Sequence, residues 1–255
     1  GDLDASHRLL AQARQRSQHR PSVLARALAI EARLHKNRGD LDRAERAAAE
    51  AIEIETQQDN PVRVASNQQT LADVRLAQGR IQEALNLLDH AISIADKQGE
   101  VSSKAMMVNS QGEVFRADGR LDEALKAYEE ARDLGLQLEN TFTVAMTSCN
   151  VGLVLLAMER IEEATPYLEE ADRLFRRGGK LYFALVSQTG LLACSALEED
   201  SDTVLTAFEE IQATIRRTGV VEMDLAMCLQ LTGRLMARRE IYDGAVIVLT
   251  AALQQ

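Results

Sequence analysis

One short phrase recurs along this chain at a fixed interval of forty residues, and that interval limits the fold more than any other feature. Gly39-Asp40-Leu41-Asp42-Arg43-Ala44 is followed by Gly79-Arg80-Ile81-Gln82-Glu83-Ala84 and then by Gly119-Arg120-Leu121-Asp122-Glu123-Ala124. The register continues at Glu159-Arg160-Ile161-Glu162-Glu163-Ala164. It weakens at Glu199-Asp200-Ser201-Asp202-Thr203-Val204 and returns in part at Arg239-Glu240-Ile241-Tyr242-Asp243-Gly244. Pro21 and Pro61 keep the same spacing. Repetition with a period of about 20–50 residues marks a chain of similar stacked units, none of which buries its apolar face alone.

Each unit holds two stretches of helical periodicity. In the second unit Leu71, Val74 and Leu76 lie on the first stretch, and Ile81, Ala84, Leu85, Leu88, Ala91 and Ile94 follow at the spacing of one helix face. Gln78-Gly79-Arg80 breaks the two apart, and Lys97-Gln98-Gly99-Glu100 ends the unit. Pro21 and Pro61 suit a first helical turn, with Asn60 as a cap before the second of them. The spacing predicts first helices over 22–37, 62–78, 102–118, 142–158, 182–198 and 222–238. Second helices are predicted over 41–57, 81–97, 121–138, 161–177, 201–217 and 241–254.

Small residues show how such hairpins close. Ala44, Ala84, Ala124 and Ala164 begin the second helices, and Ala51, Ala91, Ala131 and Ala171 follow two turns later, where neighbouring backbones must approach. Leu88, Tyr128, Leu168, Phe208 and Val248 share one register and are expected to be the large side chains between consecutive hairpins.

The stretch Gly-Arg-Leu-Asp-Glu-Ala-Leu-Lys-Ala-Tyr-Glu-Glu-Ala over 119–131 resembles the tetratricopeptide repeat. Ala164-Thr165-Pro166-Tyr167-Leu168-Glu169-Glu170-Ala171, with a Pro early in its helix, is similar to the long kinesin-light-chain subclass, as is the forty-residue unit. The resemblance spans the whole chain, strongest over 62–178 and weakest in the last two units. It implies an all-α, right-handed superhelical solenoid: a single repeat domain over 1–255, six hairpins with units near 22–60, 61–100, 101–140, 141–180, 181–220 and 221–255. Residues 1–20 correspond to the second helix of a preceding unit, Leu3, Leu10 and Ala13 matching Leu41, Ala48 and Ala51.

In a solenoid of this kind the first helices line an inner wall that takes peptides or partner segments. Counting along each first helix places Arg33, Gln69, Asp73, Asn109, Glu113, Arg116, Asn150, Leu153 and Leu156 on that wall, followed by Thr189, Ala193, Leu197, Leu229 and Met236. The wall is therefore expected to be polar in its first half and apolar in its second. Asn109 and Asn150 stand out, because a carboxamide donates and accepts at once and can grip an extended backbone. The apolar half has three candidate uses: to hold a partner helix, to pack on a continuation of the chain, or to form a symmetric dimer. The last helix, apolar nearly all round, adds Val246, Leu249 and Leu253 as an oligomer or continuation surface.

Composition removes several functions. With 29 Lys and Arg against 39 Asp and Glu, a net charge of −10 disfavours direct nucleic-acid binding. No apolar run is long enough for a bilayer, and a basic-then-apolar leader is missing at the amino terminus, so the expected location is the cytoplasm. Cys149, Cys194 and Cys228 form no Cys-x-x-Cys pair and read as packing residues. His7, His19, His35 and His90 are scattered, and no phosphate loop, His-Glu-x-x-His or Gly-x-Ser-x-Gly occurs. No cofactor, metal or catalytic residue is expected. The function implied is a protein- or peptide-binding scaffold or sensor, the regulatory part of a larger bacterial signalling or transcription-control protein. The alternative is an oligomerisation module, without a ligand of its own, that dimerises an attached catalytic or DNA-binding domain.

Overall fold

The computed structural model describes residues 20–198, 201–218 and 223–253. The half-unit expected over 1–20 lies, but for Arg20, outside them, as does the side chain of Leu197. Among the described residues there are twelve α-helices and no strand. They are α1 (Pro21–Asn37), α2 (Leu41–Gln57), α3 (Pro61–Ala77), α4 (Ile81–Gln98), α5 (Val101–Ala117), α6 (Leu121–Gln137), α7 (Thr141–Ala157), α8 (Ile161–Arg177), α9 (Leu181–Glu198), α10 (Ser201–Thr218), α11 (Met223–Arg238) and α12 (Tyr242–Ala252). The boundaries fall within two residues of those the periodicity predicts.

The backbone repeats at half the interval of the sequence. Left-handed residues occur every twenty positions: Gly39, Asp59, Gly79, Gly99, Gly119, Glu139, Glu159 and Gly179, with φ between 51° and 76°. Each ends a helix of 17 or 18 residues and precedes the cap of the next. Where a short polar side chain takes the cap position it closes the helix directly. Asp40, Asn60 and Asn140 accept from the amides of Arg43, Arg63 and Thr143 at 3.3, 3.4 and 3.1 Å. Arg80 and Arg160 cannot do this, and instead clamp Glu83 and Glu163 in the first turn at about 2.7 Å. Pro166 sits within α8 without ending it.

The chain divides into two compact units, one up to Arg120 and one from Leu121. In the first, α1 packs on α2 and α3, and α3 on α4 and α5, so hairpins stack with first helix beside first helix. In the second, α6 packs on α7, α7 on α8 and α9, and α9 on α8, α10 and α11, while α11 also touches α7 and holds α12. The two sets of Ala expected at close approaches are fully buried, and so are Leu88, Tyr128, Leu168 and Val248, with Phe208 nearly so. Gly152 marks a close approach of α7 to α8: a Cβ there would meet Leu168 Cγ at 2.6 Å.

Candidate functional site

The first unit carries a charged row. Arg33, Asp73 and Glu113 stand at one register on α1, α3 and α5, the three first helices that pack side by side. Lys36 Nζ approaches Asp73 Oδ2 at 3.9 Å, and Asn109 Nδ2 donates to Glu113 Oε1 at 3.0 Å. Gln69 bridges the same helices by donating to Ser110 Oγ at 2.9 Å and to the Met106 carbonyl at 3.2 Å.

Both carboxyls of the row are lifted above their ordinary range. For Asp73 the cause is burial, opposed by Lys36 and Arg33. Glu113 is pushed up to about 7, first by burial and then by the neighbouring Asp73 charge, against the pull of Arg116, the Asn109 hydrogen bond and Lys36. The row thus holds two mutually repelling carboxyls, one of them titrating near neutrality, among three cations.

The expected wall residues divide into those that meet this description and those that do not. Arg33, Gln69, Asp73, Glu113 and Arg116 lie exposed or half-buried on the three helices. Asn109 is 3 % exposed and its amide is committed to Glu113, so it positions a carboxylate where it was expected to grip a peptide. In the second unit Asn150 is half-buried on α7. Leu153 and Leu156, expected on an open wall, are core residues at 1 % and 0 % exposure, and Thr189, Ala193, Leu229 and Met236 are fully buried too. The reason is that α11 returns onto α7 and α9, so the apolar faces of the first helices cover one another.

Of the surface expected on α12, Val246 and Leu253 are 63 % and 89 % exposed and Leu249 is half-buried. Tyr242 and Ile247 extend the apolar face. A hollow of about 390 Å³ lies between Met227, Gln230, Leu249 and Leu253. The three cysteines are buried thiols. Among the described residues no group of His, Cys, Asp and Glu is arranged to hold a metal, and no helix is long and apolar enough to cross a membrane.

Two polar clusters carried no sequence expectation. Ser148 Oγ and Arg132 Nη2 donate to one oxygen of Glu170 at 2.8 and 2.9 Å, joining α6, α7 and α8. Glu45 gathers Arg75, Gln78 and Arg80, and its hydrogen bond from Arg75 holds its carboxyl below the usual range. Their residues are ordinary surface types in sequence, and only the stacking of hairpins brings them together.

Two family descriptions match the sequence, the MalT-like TPR region over residues 3–99 and the tetratricopeptide repeat over 103–177, which together take in more than half of the chain. The chain belongs to the tetratricopeptide repeat family. No curated protein is significantly similar in sequence. Solved tetratricopeptide repeat structures share the fold at low identity. The nearly identical TPR-like repeats of a kinesin light chain from Podosopora anserina align at 20 % identity and a TM-score of 0.61, over 77 % of this chain and 98 % of that one. A signal transduction ATPase with numerous domains and a tetratricopeptide repeat sensor, from Pyrococcus horikoshii, aligns at 13 % identity and a TM-score of 0.73, over 100 % of this chain and 40 % of that one. A Rap protein complexed with competence and sporulation factor aligns at 14 % identity and a TM-score of 0.69, over 97 % and 80 %.

Proposed function

We propose that this tetratricopeptide repeat chain is a binding module that holds a protein or peptide segment against the charged row of its first unit, as the regulatory part of a larger signalling or transcription-control protein. The observation that carries this reading is Arg33, Asp73 and Glu113 at one register on three adjacent first helices, with Lys36 and Arg116 beside them. Carboxyls held away from water and next to each other are poorly satisfied, and a segment that brings amide and cationic groups relieves them. The fold shared with a Rap protein in complex with its factor, and with a protein whose repeats are described as a sensor, supports a ligand-reading role.

The test is capture of partners from lysate of the source organism on immobilised chain, wild type against an Asp73→Asn/Glu113→Gln double variant. Proteins retained by wild type and lost by the double variant support the reading; identical sets on both defeat it.

A second reading, oligomerisation without a ligand, draws on the exposed apolar face of α12 at Val246, Ile247 and Leu253. It requires a self-associating chain whose mass in solution falls when that face is charged.

A further inference from the structure

A cavity of about 230 Å³ opens between α1, α2 and α3 of the first unit. Glu55, Asn67 and Thr70 line it from buried positions, and Arg26, Arg33 and Arg63 from exposed ones. Glu55 is 0 % exposed, and among the described residues neither of its carboxylate oxygens has a hydrogen-bond partner. A carboxylate so placed loses its hydration and receives nothing in return, which native structures avoid unless something else satisfies the group.

The repeat shows that the carboxylate is a departure. In the following units the register of Glu55 is taken by Ala95, Gly135, Phe175 and Ile215, all buried and none of them charged. Three units on, the positions of Glu55 and Arg63 are filled by Phe175 and Phe183, stacked with centroids 5.3 Å apart. Space that two rings occupy there is here left open and given charges of both signs. Arg26 and Arg63 form no ion pair among the described residues. A local choice that contradicts the packing of its own repeat points to a function at that spot.

We infer that this cavity recognises a cationic nitrogen carried beside a carboxylate, the ammonium or guanidinium seated on Glu55 and the carboxylate held at the mouth by Arg26, Arg33 and Arg63. Asn67 and Thr70 offer the remaining polar contacts inside. The volume falls below the roughly 300–1,000 Å³ of sites for drug-sized molecules and suits one amino acid. The shared chemistry has two sources, a free basic amino acid or a peptide ending in one. The site does not depend on the charged row, with which it has only Arg33 in common.

The experiment is titration calorimetry of the 255-residue chain with L-arginine, L-lysine and the peptide Gly-Gly-Gly-Arg, and with methylguanidinium and acetate as probes of each charge alone. One of the zwitterionic probes binds saturably, the single-charge probes at least about tenfold more weakly. Binding of L-arginine or L-lysine identifies the free amino acid as the source, and binding of the peptide alone identifies the chain terminus. Glu55→Gln keeps the shape of the side chain and weakens binding at least tenfold, while its unfolding temperature without ligand equals or exceeds that of wild type. Arg63→Gln, at the mouth and outside the core, weakens binding with the fold untouched. Saturable binding by none of these probes, or an affinity that both variants leave unchanged, overturns the proposal. Loss of partner capture in the Asp73/Glu113 variant with amino-acid binding intact separates this site from the charged row.

Discussion

Arg234 Nη2 donates to Glu159 Oε1 at 2.8 Å across seventy-five residues of chain, and Arg238 takes the other oxygen of the same carboxylate at 3.1 Å. Glu159 stands where the earlier units carry Gly39, Gly79 and Gly119, and it keeps their left-handed backbone at φ 56°. The strained turn after α7 is thus also the anchor for α11, the helix that covers the apolar face of α7.

Two substitutions of Glu159 separate strain from anchoring. Glu159→Gly relaxes the backbone and Glu159→Ala does not, so the glycine variant melts at a higher temperature than the alanine variant. Both lose the two arginines, and hydrogen exchange of the α11 amides accelerates in both while exchange in α1–α5 does not change. Equal melting of the two variants argues that φ at this turn carries no strain.

Glu113 makes the stability of the first unit depend on pH in an unusual direction for a carboxyl. Its folded value, about 7, lies above the ordinary glutamate value of about 4.5, so the folded chain holds its proton longer than the unfolded one. Stability from this group is full below about 4.5 and is lost as pH rises through 7. Glu113→Gln removes that loss: wild type and variant differ little near pH 5, and by pH 8 the variant is the more stable by about 1–3 kcal/mol, read from urea unfolding. A difference that grows toward low pH refutes the assignment.

The approach of α7 to α8 at Gly152 tolerates no added bulk. Gly152→Val forces Leu168 from its place and destabilises the second unit by about 1–3 kcal/mol, and Leu168→Ala, which opens a cavity at the same contact, costs about 2–5 kcal/mol. Because the residues touch, the double variant Gly152→Val/Leu168→Ala is less damaged than the sum of the two, as denaturation midpoints would show.

Val246 and Leu253 set a clear expectation for solution mass. If the exposed face of α12 joins two copies, Val246→Glu lowers the mass measured by light scattering to that of one chain, while helicity stays the same. A wild-type chain that remains monomeric over a wide concentration range removes the oligomerisation reading.

Helix order, hairpin pairing and the buried register of Leu88, Tyr128 and Leu168 are legible in the sequence because each depends on contacts within a unit or with the next one. The left-handed turns at Asp59, Glu139 and Glu159 are not, since an acidic side chain gives no sign of positive φ. The fate of Leu153 and Leu156 is hidden for another reason. Whether a first-helix face is open or covered depends on small rotations accumulated over several hairpins, which decide that α11 meets α7. Asn109 was legible as a polar residue of its helix face, but its partner was not, because Glu113 lies one turn away at a spacing that also suits two independent surface groups. Glu55 could have been found by aligning the units, where it is the one carboxylate in a column with Ala95, Gly135, Phe175 and Ile215.

The left-handed residues every twenty positions give the chain a built-in phase. A single residue inserted within one helix turns everything on its far side by about 100° and carries the buried edge into solvent. Excision of forty residues between equivalent turns, Gly39 to Gly79 for example, restores the same angle and the same facing surfaces. Such a molecule can lengthen or shorten in evolution by whole hairpins while small insertions inside its rods are lethal to the stack, and variation in hairpin number becomes a way to change reach without redesigning any contact.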